Sequence, residues 1–125
     1  MTATNTYYVN ASAADNFAQC LYYIKNADGS FTQVFSPLYV PPTASACRFV
    51  QHPDSELNLQ ATVFKTLPIG TAFSDYNYAP ASDEQVAVTM PDTKTVNKGV
   101  VLMFTNSDGT QLYSSSDPIV SNDPD

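Results

Sequence analysis

Two short stretches of the chain follow one plan, and that plan limits the fold more than any other feature. Ile24-Lys25-Asn26-Ala27-Asp28-Gly29-Ser30 and Phe104-Thr105-Asn106-Ser107-Asp108-Gly109-Thr110 each leave an apolar run through Asn-x-Asp-Gly and return toward an aromatic residue. Asp-Gly accommodates the positive φ of a tight hairpin, and Asn and Asp side chains bond their own backbone in such turns. Flanked by apolar runs, turns of this kind join antiparallel strands. We read the likeness as one hairpin chemistry used twice and not as an internal repeat.

The segments between the turns carry strand patterns. Val100-Val101-Leu102-Met103-Phe104, bounded by Gly99 and Thr105-Asn106, reads as a strand buried on both faces. LNLQATVFK (57–65) puts Leu57, Leu59, Ala61 and Val63 on one face, with Asn58, Gln60 and Thr62 on a wet one until Phe64 interrupts. FAQCLYYI (17–24) separates Phe17, Gln19, Leu21 and Tyr23 from Cys20, Tyr22 and Ile24, and QVAVTM (85–90) turns Val86, Val88 and Met90 inward. Tyr7-Tyr8-Val9 reads as a short first strand at an edge, while Pro37 and Pro41-Pro42 interrupt the strands around Leu38-Tyr39-Val40. Turn signals recur about every 8–12 residues, and no helical window of comparable quality appears. The expected architecture is all-β: one domain over residues 1–125, an antiparallel β-sandwich with Greek-key connections and an immunoglobulin-like topology. At 125 residues, 43% hydrophobic and 14% charged, the chain is long enough to bury its own core.

Charge narrows the partners. Five Lys and Arg stand against twelve Asp and Glu, a net charge of −7 that repels phosphate backbones and anionic lipid. Lys25, Arg48, Lys65, Lys94 and Lys98 are scattered, so no nucleic-acid partner is expected. The N-terminal residues lack a basic-then-apolar signal, and no run approaches the roughly 20 apolar residues of a membrane span. The expected location is therefore cytoplasmic, with no membrane partner. Cys20 and Cys47 fit neither a zinc pattern nor Cys-x-x-C and read as thiols of a reducing compartment.

Phe35-Ser36-Pro37, Met90 through Gly99 (MPDTKTVNKG), and the ending Asn106-Ser107-Asp108-Gly109, Ser116-Asp117-Pro118-Ile119-Val120 and Asn122-Asp123-Pro124-Asp125 resemble the DP-EP family of small bacterial proteins. The resemblance covers the last third of the chain, and the first half only through its hairpin plan. It implies a small β-sandwich of unassigned function and carries over no catalytic residue.

Three constellations bear on chemistry. His52, ahead of Pro53-Asp54 and near Cys47, supplies the residue types of a Cys-His-Asp nucleophile, yet a polar turn is the ordinary place for an exposed histidine. Asp117, Asn122, Asp123 and Asp125 offer oxygens for calcium but lack the spacing of an EF-hand loop. We read the Asp-Pro pairs as structural guards of an edge strand. The irregular stretch Leu67 to Ser82 carries Phe73, Tyr76, Asn77 and Tyr78, residue types that make adaptable contacts in binding loops. The expectation is a non-enzymatic interaction or structural module, acting as a homo-oligomer or on a protein partner, with no cofactor and no metal. The alternative is a small carbohydrate- or peptide-binding domain using the 67–82 loop.

Overall fold

The computed structural model describes residues 4–67, 76–91, 94–116 and 118–123. Among these the chain forms no helix and eleven strands: β1 (Thr6–Ala14), β2 (Phe17–Lys25), β3 (Phe31–Val34), β4 (Leu38–Tyr39), β5 (Ala46–Gln51), β6 (Asn58–Leu67), β7 (Asn77–Pro80), β8 (Gln85–Thr89), β9 (Asn97–Thr105), β10 (Leu112–Ser114) and β11 (Ile119–Ser121). No helix of the described residues is long and apolar enough to cross a membrane. One sheet has the order β3-β2-β1-β5-β8; the other runs β4-β11-β9-β6-β7, with β10 also paired to β9. The result is all-β, two sheets sharing one core.

Both sheets are mixed, which corrects the antiparallel expectation. β1 pairs β5 in parallel, and β4 pairs β11 in parallel. The cause lies between Phe35 and Ala46, where the chain leaves the first sheet, lends Leu38–Tyr39 to the second, and returns alongside β1. Parallel pairing needs such a crossover, whereas a tight turn can only reverse the strand. β1 is accordingly a nine-residue strand between β2 and β5, not a short edge strand.

The core draws on both sheets. Tyr7, Val9, Tyr22, Cys47, Phe49 and Val88 meet Leu38, Leu59, Phe64, Leu102, Phe104 and Val120 in one buried cluster. Tyr7 ties the layers together, its hydroxyl donating to Tyr39 O. β9 does not follow the expectation of two buried faces. Val100, Leu102 and Phe104 are buried, but Val101 is 37% exposed and Met103 only partly covered. β6 departs too. A bulge between Leu59 and Ala61 breaks the register with β9. One extra residue reverses the alternation beyond it. Phe64 therefore enters the core, Thr62 is buried with its hydroxyl donating to Val101 O (3.0 Å), and Val63 turns outward.

The twin turns are built alike. Gly29 and Gly109 take φ of 90° and 72°. Asp28 accepts from Ser30 N (3.0 Å) and Oγ (2.6 Å), and Asp108 from Thr110 N (3.3 Å) and Oγ1 (2.7 Å). These bonds hold both carboxyls below their ordinary range. The Ser82–Gln85 turn takes positive φ at both central residues, Asp83 (54°) and Glu84 (63°), without a glycine.

The chain's last strand is not an edge. β11 lies between β4 and β9, Pro118 O accepts from Val100 N (3.0 Å), and Ile119 N donates to Ser36 Oγ (3.0 Å). Pro118 thus leads into an interior strand, which corrects the edge-guard reading of Asp117-Pro118.

Candidate functional site

Directly paired residues of an antiparallel ladder share a face, so the registers of the second sheet define its outer surface. Tyr78 pairs with Val63, and Val63 with Val101. Lys65 pairs with Gly99, and Gly99 with Ile119. Two rows result, crossing β7, β6, β9 and β11. Tyr76, two residues before Tyr78, lies on the same face, with Lys65 Nζ 4.4 Å from its ring centroid. Lys65 itself is buried, its stem laid along the sheet as long cationic chains do on apolar surface.

The rows enclose a groove of about 480 Å³, lined by Val63, Lys65, Leu67, Tyr76, Gly99, Val101 and Ile119, with Ser36, Ser116 and Pro118 on its far wall. Its floor depends on Gly99. A Cβ there would stand 3.3 Å from Leu67 Cδ2, so the missing side chain is what lets Leu67 lie flat across β9. Ile119 also borders a second depression of about 230 Å³ with Tyr39, Asn97 and Asp123, so the surface runs on from a cationic end to an acidic one. Tyr76, Tyr78, Val101 and Ile119 all stay exposed, from 37% to 65%. Among the described residues its lining is mainly apolar.

The four residues singled out in the 67–82 loop fare differently. Tyr76 lines the groove and Tyr78 flanks it. Asn77 begins β7 and pairs with Phe64, and Phe73 lies outside the described residues. The stretch is also less of a loop than its prolines suggest, since 77–80 is a strand and Leu67 still belongs to β6. Sequence reasoning missed Val63, Lys65, Gly99, Val101 and Ile119. The bulge at Gln60 that turns Val63 outward left one mark in the sequence, the Phe64 that interrupts the wet face of the alternation.

The other constellations come apart. Cys47 and His52 are five residues apart along β5 and its continuation, which places them on opposite faces. Cys47 is fully buried in the core, and burial pushes its thiol far up from the ordinary value. His52 is not exposed; it is 7% accessible, 4.4 Å from Phe31 and 5.1 Å from Tyr23 between ring centroids. Its Nδ1 accepts from Asp54 N (3.0 Å), so it fastens a turn under an aromatic cluster on the first sheet. Cys20 and Cys47 are not joined in a disulfide.

Asn122 is spent on backbone. Its Nδ2 donates to Pro91 O (2.9 Å) and Lys94 O (3.0 Å), and its Oδ1 accepts from Val96 N (2.7 Å). Asp117 and Asp125 lie outside the described residues, and among those described no group of three or more His, Cys, Asp or Glu could hold a metal.

Fold and groove together define an all-β protein of two mixed sheets with an apolar, ligand-sized groove on one outer face. No family model matches the chain, and no curated protein matches its sequence.

Proposed function

We propose that the protein is a non-enzymatic interaction module whose second sheet receives a short apolar segment of a partner protein on its outer face. The observation that carries this reading is the groove itself, in which the registers bring exposed Tyr76, Val101 and Ile119 against Val63 and Leu67. Its volume, about 480 Å³, is in the range of sites that enclose a small ligand or a few side chains. The lining favours a peptide over a sugar. Among the described residues Ser36, Lys65, Tyr76 and Ser116 are the lining's hydrogen-bonding side chains, few for a ring bearing a hydroxyl on most carbons. The specific observation for a carbohydrate is the pair of exposed rings, Tyr76 and Tyr78, available for stacking.

Within the same reading we place the fold among immunoglobulin-like Greek-key sandwiches and the chain with the DP-EP proteins its ending resembles. The core shared by two sheets and the sheet switch after Phe35 support the first; the Asp-Pro ending supports the second.

The test is a display selection of peptides, followed by amide chemical-shift mapping of the winners. Bound peptides should shift Val63, Gly99, Val101 and Ile119. Val101→Arg, on the outer face, should melt near the parent and weaken binding about tenfold or more, a loss of about 1.4 kcal/mol. Selected peptides that leave these amides unmoved would overturn the peptide reading, and oligosaccharides that move them would establish the other.

A further inference from the structure

We propose that β3 pairs with β3 of a second copy, antiparallel about Gln33, making a two-fold dimer in which Phe35 of each copy covers Phe31 of the other. The proposal concerns the opposite sheet from the groove and does not rest on it.

The phase of the β2–β3 ladder comes first. Asn26 N donates to Ser30 O (2.7 Å), and hydrogen-bonded pairs alternate along an antiparallel ladder. Thr32 and Val34, opposite Ile24 and Tyr22, therefore turn their backbone groups toward β2. Phe31 and Gln33 turn theirs away, on the open side of a strand that ends its sheet. A two-fold axis at Gln33 sets these donors and acceptors against their own copies. The Gln33 backbones exchange two hydrogen bonds, and each flank brings Phe31 opposite the second copy's Phe35. The Phe31–Gln33 edge is self-complementary, as a two-fold contact requires, and Phe35, the residue after β3, has to continue its line to reach Phe31.

Side chains agree with the backbone. Phe35 is 75% exposed, the most exposed large apolar side chain among those described. Across from it the second copy would present Phe31, already in a cluster with Tyr8 (5.1 Å between centroids), Tyr23 (6.3 Å) and His52 (4.4 Å). An incoming phenyl ring would extend that cluster, and aromatic pairs across strands are among the better stabilising contacts of sheets.

The other edges are blunted, and β3 is not. β4 is two residues between Pro37 and Pro41, β10 is three, and β7 ends at Pro80, which has no N–H to offer. β8 packs against β6 and β7 of the other sheet as well as β5, whereas the substantial contacts of β3 are with β2 alone. Residues 31–35 contain neither charge nor proline.

Size and charge set the strength. One short strand pair with two phenylalanines falls below the roughly 1,200 Å² of a stable interface, so the dimer is weak and concentration-dependent. A charge of −7 on each copy opposes it, so screening by salt strengthens it.

The experiment is sedimentation velocity from micromolar to millimolar protein at low and high salt, with amide hydrogen exchange at both ends of the series. A dimer should grow with concentration and salt, and the amides of Phe31, Gln33 and Phe35 should gain protection that Thr32 and Val34 have already. Gln33→Lys, which sets like charges together at the axis, and Phe35→Lys, which removes the covering ring, should each weaken association about tenfold or more, while Thr89→Lys on the β8 edge should not. A monomer at millimolar protein and high salt overturns the proposal. So does a dimer in which the three outward amides stay unprotected. The exchange experiment needs no variant, so a misfolded mutant cannot obscure the result.

Discussion

Leu102 and Val101 are neighbours on β9, and the fold assigns them opposite environments: Leu102 is completely buried, Val101 is 37% exposed over the groove. Truncating each to alanine measures that difference. Leu102→Ala empties a site in the shared core, where such changes cost about 3–5 kcal/mol from lost burial and residual cavity. Val101→Ala removes two methyl groups, each worth about 0.8 kcal/mol when fully buried; at the observed exposure the loss is about 1 kcal/mol. Unfolding entropy near 2.1 cal/mol/K per residue gives about 260 cal/mol/K for this chain, so 1 kcal/mol is about 4 °C. The expected falls in Tm are therefore about 12–19 °C for Leu102→Ala and about 4 °C for Val101→Ala. Calorimetry and urea titration should rank them alike, with m unchanged. The charged versions sharpen the contrast, since Val101→Asp should still fold and Phe104→Asp should not. Equal losses for the two alanine variants would refute the wet face of β9, and with it the groove.

Glu84→Gly should stabilise the protein by about 1 kcal/mol, because a left-handed conformation costs a non-glycine residue about that much and Glu84 sits at φ 63°; a lower melting temperature would show that the Ser82–Gln85 turn is held differently. Burial, with Cys47 nearby, raises the Tyr7 phenol to about 12 from 10.0. Its folded value lies above its unfolded one, so its contribution is intact below pH 10 and is lost as pH rises toward 12. Absorbance titration should show a late ionisation that coincides with unfolding, and Tyr7→Phe should change that step; a Tyr7→Phe titration identical late in the curve to the parent's would contradict it. Asn122→Ala leaves Pro91 O, Lys94 O and Val96 N without their partner, at a cost of about 2–4 kcal/mol in chemical denaturation, while calcium should not move the parent's melt; a calcium-dependent shift would make the terminal segment a metal site.

The sequence announced its turns and most of its strands, because those rest on local chemistry. Gly29 and Gly109 adopt the positive φ that Asp-Gly implies, and Tyr22, Val86 and Val88 point inward as their alternation requires. What it hid depends on partners distant in the chain. The parallel pairing of β1 with β5 follows from a crossover no local pattern records. The outward turn of Val63 follows from a single bulge residue, and apolar Val101 looks the same in sequence whether or not a second layer covers it. Tyr76 and Tyr78 were legible as candidates; the Gly99 floor and Ile119 wall of the groove beside them were not, since register alone brings them together.

The placement of β11 has a consequence for how the protein is made. The last strand enters a gap between β4 and β9, two strands that do not otherwise touch in the sheet order. Until residues 119–121 have left the ribosome and the exit tunnel, Leu38 has no sheet to join and one side of β9 is incomplete. Assembly of the second layer should then wait for that emergence. Nascent chains stalled before it should be readily cut by protease near 38–40, and chains with residues 119–121 outside the tunnel should resist.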